Sequence, residues 1–132
     1  FTTGGIFGGQ EYLTRVPDSI ADNADMIIVQ GGLNDAGKAE TAAVNIAALE
    51  VLAPLVDSGA QVFVIGPGDA PGVGFEADVD RALRAASEVT GATYVSALDW
   101  DVAFGDDNVH MTASGHERFA NFVLSAIRSP AS

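Results

Sequence analysis

The stretch of this chain best suited to moving a proton is Asp107-Asn-Val-His110. An imidazole titrates nearest neutral pH, so it accepts and returns a proton under ordinary conditions. A carboxylate three residues earlier on the same loop can hold the ring through its Nδ1–H and fix its tautomer and orientation. By itself an Asp-x-x-His is more often an ordinary loop ahead of a helix, with a solvated histidine. A second candidate is Asn34, in Gly31-Gly32-Leu33-Asn34-Asp35. A side-chain amide aimed into a site stabilises the oxyanion of acyl transfer, although Gly, Asn and Asp are also common turn residues. A third is Gly9, where the lack of a Cβ lets the backbone N–H approach a substrate closely. His116 sits beside Gly115 inside the last helical pattern and suits packing or capping.

These residues need a scaffold. Met26-Ile-Ile-Val29 reads as a short strand buried on both faces, running through Gln30 into the Gly-Gly turn. Ligands in open α/β sheets gather at the carboxyl ends of strands, which is where Asn34 falls. Residues 39–56 repeat apolar positions at the spacing of one helical face, with Pro54 in the last turn and Gly59 as a cap. A strand over 61–65 follows, then a loop of glycines and prolines from Gly66 to Gly74. The next helix is 76–90, the next strand 93–97. A loop over 98–112 carries Asp107 and His110, and a final helix spans 113–128. Ahead of the first strand, Phe1–Thr3 reads as a strand tail, and 10–21 as a short irregular helix broken at Pro17. Alternation of this kind gives parallel β-α-β units. The expected architecture is α/β: a single domain over 1–132, built as a three-layer α/β/α sandwich around a parallel sheet.

Composition bounds the function. At 132 residues and 48% hydrophobic content the chain is long enough to bury a core. A formal charge of −12, with Lys38 the one lysine, argues against nucleic acid or an anionic membrane as partner. There is no cysteine, hence no disulfide and no thiolate metal site. No histidine–carboxylate spacing matches a recognised metal set, so no metal is expected, and ester hydrolysis by a triad would require no organic cofactor.

Two phosphate-binding readings fail on residue types. Gly32-Leu-Asn-Asp-Ala-Gly-Lys38 fits the letters of a P-loop, but Ala39 replaces the magnesium-binding hydroxyl and Asp35 puts a negative charge in the cradle. Gly66-Pro-Gly-Asp-Ala-Pro71 puts proline where the dinucleotide motif has its last glycine.

Taken in order, Gly9-Gln10, Gly31-Gly-Leu-Asn34-Asp35 after a strand, and Asp107-x-x-His110-Met-Thr-Ala-Ser-Gly-His116 before the last helix resemble the SGNH (GDSL) hydrolase family. The resemblance covers essentially the whole chain. It implies a flavodoxin-like sandwich and an ester hydrolase, with His110 as general base, Asp107 as its orienting partner, and Asn34 and Gly9 as oxyanion donors. The family's nucleophile is a serine in a Gly-Asp-Ser block just after the first strand, and this chain has no such block. Asp18-Ser19-Ile20 has no strand before it and comes after Gly9; Asp57-Ser58-Gly59 is a helix end. The opening strand and helix, with the serine, are therefore expected outside this chain, on the same polypeptide or another one. The expected substrate is a small acyl ester or an acetylated glycan, in a secreted, cell-envelope or phage setting. The rival expectation keeps the fold without the chemistry, as a binding or structural module of a larger assembly.

Overall fold

Among the described residues, three strands and four helices follow one another along the chain. The computed structural model describes residues 24–36 and 41–128. In chain order the elements are β1 (Met26–Gln30), α1 (Leu33–Ala36), α2 (Thr41–Asp57), β2 (Gln61–Gly68), α3 (Glu76–Thr90), β3 (Thr93–Ala97) and α4 (Ala113–Arg128). The sheet has the order β1-β2-β3, and both pairings are parallel. This is the parallel α/β arrangement expected from the strand–helix alternation, and it is consistent with the flavodoxin-like sandwich that the family resemblance implies.

Side-chain alternation along β2 divides the core in two. Val62 and Val64 join Val44, Val51, Leu52 and Leu55 of α2 and Val79, Leu83 and Ala86 of α3. Phe63 and Ile65 point the other way and meet Phe119 of α4, with Val123 and Ile127 packed against them. Thus α2 and α3 cover one face, and α4 covers the other. Phe63, Leu52, Leu55, Ile65 and Leu83 are fully buried. Each such side chain contributes roughly 1.5–3 kcal/mol through removal from water.

The ends of α3 show how local sequence sets the boundaries. Gly91 ends it in the left-handed conformation, φ 91°, and donates its N–H to Ser87 O at 3.0 Å. Phe75 precedes it with φ 66°, an uncommon conformation for an aromatic residue.

Two expectations are corrected. The second strand continues past Ile65 to Gly68, through Pro67. The ladder to β3 shifts register between Ile65 and Gly68, so the N–H that proline lacks falls where regular pairing is already interrupted. And β1 is not buried on both faces. Val29 is buried, but Met26 and Ile28 are 42% and 47% exposed. Among the described residues β1 pairs only with β2, and α4 lies over β2 and β3, leaving the α4-side face of β1 uncovered. No helix among the described residues is long and apolar enough to cross a membrane.

Candidate functional site

Because the strands are parallel, the segments following β1, β2 and β3 emerge at one rim of the sheet. The segment after β1 is short. Gly31 donates its N–H to Ile65 O at 3.2 Å, and Gly32 O accepts the Ala36 N–H at 2.9 Å, closing the single turn of α1. Gly32 has φ 105°, and a Cβ there would lie 3.0 Å from Val79 Cγ1 and 3.2 Å from Leu83 Cδ1. Both the conformation and the contact with α3 call for glycine. Asn34 is placed in α1 as a result, at the carboxyl end of β1. Two strand spacings, about 10 Å, separate β1 from β3 at the level of the sheet.

The segment after β3 carries the dyad. His110 Nδ1 lies 2.6 Å from Asp107 Oδ2. The other carboxylate oxygen, Oδ1, accepts the backbone N–H of Val109 and of His110, each at 2.9 Å. The contact with His110, followed by these two backbone N–H groups, pulls the Asp107 carboxyl down to about 2. An ionised carboxylate only accepts hydrogen bonds, so Nδ1 carries the hydrogen and Nε2 is left as the nitrogen that can take a proton. Both side chains are open to solvent, His110 at 72% and Asp107 at 52%.

The loop is held from several sides. Asn108 has φ 56°, a left-handed conformation that asparagine tolerates. Its N–H reaches Gly105 O at 3.0 Å, and the Gly105 N–H reaches His110 O at 2.8 Å. Gly72, in the segment after β2, donates to Asn108 O at 2.7 Å. A Cβ at Gly72 would lie 2.9 Å from that same oxygen. Downstream, Thr112 caps α4: its Oγ1 accepts the Gly115 N–H at 3.0 Å. The buried Gly115 fits against Ala103, whose carbonyl a Cβ would strike. His116 is exposed on the first turn of α4 and takes no part in the dyad.

Of the site residues read from the sequence, Asp107 and His110 are brought into contact. Asn34 stands at the same rim on a different element, and Gly9 lies outside the described residues, as do the expected helix over 10–21 and Lys38. Trp100 packs edge-on to Phe119 at 4.9 Å and stacks on Phe122 at 5.1 Å, so the ring anchors the loop to α4. Its neighbour Asp101 lines a polar groove of about 440 Å³ with Ser114, Glu117, Arg118 and Asn121.

Sequence reasoning missed two buried acids on α3. Asp80 Oδ1 accepts from Tyr94 Oη at 2.6 Å and from Ser96 Oγ at 2.7 Å, tying α3 to β3. Burial and the adjoining Asp80 carboxylate push the Tyr94 hydroxyl upward. Glu76 is 6% exposed, and among the described residues its Oε1 has no hydrogen-bond partner. Burial, with the charge of Asp69 adding to it, raises that carboxyl. The available signal was helical phase: Glu76 and Asp80 lie on the same face as Val79 and Leu83.

No protein-family model matches the chain, and no curated protein does. Among solved structures, a protein from Lactobacillus plantarum determined by structural genomics is similar, with TM-score 0.76 and 18% identity over 98% of this chain and 77% of that one. A second solved structure gives TM-score 0.59 and 14% identity over 81% of this chain and 60% of that one. At these identities the likeness is one of fold.

Proposed function

We propose that the protein is a serine ester hydrolase of the SGNH type, acting on a small acyl ester or an acetylated glycan, with the serine supplied by polypeptide outside this chain. One observation carries the reading: Asp107, fixed by two backbone N–H groups, holds His110 through Nδ1 and leaves Nε2 available. His110 takes the serine proton as the hydroxyl attacks the carbonyl, then delivers it to the departing alcohol. Asp107 keeps the ring in the useful tautomer and stabilises its charged form. The Asn34 amide, with the N–H groups of Gly9 and of the serine, receives the oxyanion. Neither metal nor organic cofactor has a step to perform.

The rival is a binding or structural module with the same fold. Its support is the solvent exposure of the dyad, since a triad carboxylate in an active hydrolase is ordinarily buried. A serine-reactive fluorophosphonate separates the two. The native-length protein should be labelled, and the His110→Ala variant should not. Absence of labelling in the unsubstituted protein rejects the hydrolase and leaves the module.

A further inference from the structure

Two adjacent residues between β2 and α3 stand in the reverse of the order that stability alone favours. Phe75, just ahead of the first turn of α3, has φ 66° and ψ 12°. L-residues enter that left-handed region at a cost, and an aromatic ring gains no local hydrogen bond there in return. Gly74 could adopt it freely, yet its φ is not positive, and a Cβ on it would meet open space. Packing does not explain the phenylalanine. It is 55% exposed, and among the described residues it joins neither half of the core. It makes no side-chain cap for α3. Its backbone carbonyl accepts the N–H groups of Asp78 and Val79, each at 3.1 Å, a service any residue type supplies.

The strained turn links the two halves of the candidate site. Three residues before it, Gly72 holds the dyad loop through Asn108 O. One helical turn after it, Val79 borders Gly32, where the segment carrying Asn34 leaves β1. Strain of this kind, held in place by its surroundings, gathers at ligand clamps. We propose that Phe75 is a substrate-contact residue, its ring the platform for the less polar face of a neutral pyranose in an acetylated glycan. Chemistry selects that ligand. One face of a pyranose is a patch of polarised C–H bonds, which the negative face of an aromatic ring attracts, while the hydroxyls at its edge stay hydrated. A bare acetyl group offers only a methyl and needs no platform of that size. Asp69, exposed in the same segment, and the net charge of −12 disfavour an anionic ligand. That the sugar carries an acetyl ester rests on the ester-hydrolase reading; the ring contact does not.

Nuclear magnetic resonance of the native-length polypeptide, with isotope-labelled phenylalanine rings, tests the contact. The Phe75 ring signal is identified by its loss in Phe75→Leu. Methyl glucoside, methyl galactoside and methyl N-acetylglucosaminide are titrated, with sorbitol as the acyclic polyol control. At least one pyranoside should shift the Phe75 ring signal saturably, and sorbitol should not. Phe75→Leu should weaken that binding about 2–10-fold, the size of an aromatic contact beyond its area, read from the Glu76 amide. Phe75→Tyr should restore it. No saturable shift with any pyranoside, a shift that sorbitol matches, or equal binding by Phe75→Leu overturns the proposal. A purely structural role is tested by reversing the order of the two residues. Gly74→Ala combined with Phe75→Gly should raise the urea midpoint, by relieving strain at one position and restricting the unfolded chain at the other. A lower midpoint gives Phe75 to the fold and also overturns the proposal. No catalysis enters these readouts. A ring shift in a protein that the fluorophosphonate does not label rejects the hydrolase and keeps the contact; labelling without the shift does the reverse.

Discussion

Asp107 spends every hydrogen bond it makes within three residues of itself, on Val109 and His110. Such a carboxylate is a holder of one histidine. Its depressed acidity fixes the sign of the pH response. A lowered carboxyl favours the folded state above its ordinary value near 4, and this contribution disappears as the pH falls toward about 2. The Asp107 carboxyl carbon, followed by nuclear magnetic resonance, should therefore titrate with a midpoint near 2, and a midpoint at 4 would remove the pairing. In the native-length protein, Asp107→Asn should lower p-nitrophenyl acetate turnover on the order of 10⁴-fold by favouring the wrong tautomer. Turnover by His110→Ala near that of the unsubstituted protein would sink the base assignment. Asn34→Ala should slow the reaction about 10²–10³-fold with the circular dichroism spectrum unchanged; a change below about threefold takes Asn34 out of the oxyanion hole.

At the scale of elements, the site is as firm as the joints that present it. Thr112 satisfies an N–H at the start of α4 and also donates its own backbone N–H to Ala103 O at 3.0 Å. Thr112→Ala should cost about 1 kcal/mol in urea denaturation, and a loss below about 0.3 kcal/mol would mean the cap is not formed in solution. On the other joint, Leu83 is fully buried and borders the space that Gly32 leaves empty. Leu83→Ala should cost about 2–5 kcal/mol and leave a void beneath α1. The helices 76–90 and 113–128 and the strand 93–97 were legible because apolar period and cap residues agree there. Gly66-Pro67-Gly68 has the composition of a loop, so the sequence by itself ends the second strand at Ile65, three residues before its end at Gly68. Only the burial of that segment, with Tyr94 directly over Gly66, makes it part of the sheet, and burial is a tertiary fact. The dyad was legible because Asp107 and His110 are near neighbours in the chain. The Asp80–Tyr94–Ser96 network joins residues 14 and 16 apart and left no local pattern.

For the molecule as a whole, charge and winding are the governing properties. A net charge of −12 on 132 residues opposes the compact state through self-repulsion. Salt between about 10 mM and 100 mM shortens the screening length from about 30 Å to about 10 Å. The melting temperature should rise across that range, and a flat response would show the acidic groups to be already compensated. The parallel order of the sheet followed from the alternation of elements, but the exposure of β1 did not. Its four apolar residues look identical whether one face is covered or two, because periodicity records what a strand prefers and not what surrounds it. The tether from Gly72 to Asn108 has a practical corollary. Gly74, only two positions along, has open space where a side chain would go, so tolerance of insertion should change sharply between these two positions. A peptide tag spliced in after Gly74 would hang free of the rim, while one spliced in at Gly72 would pry the histidine loop loose.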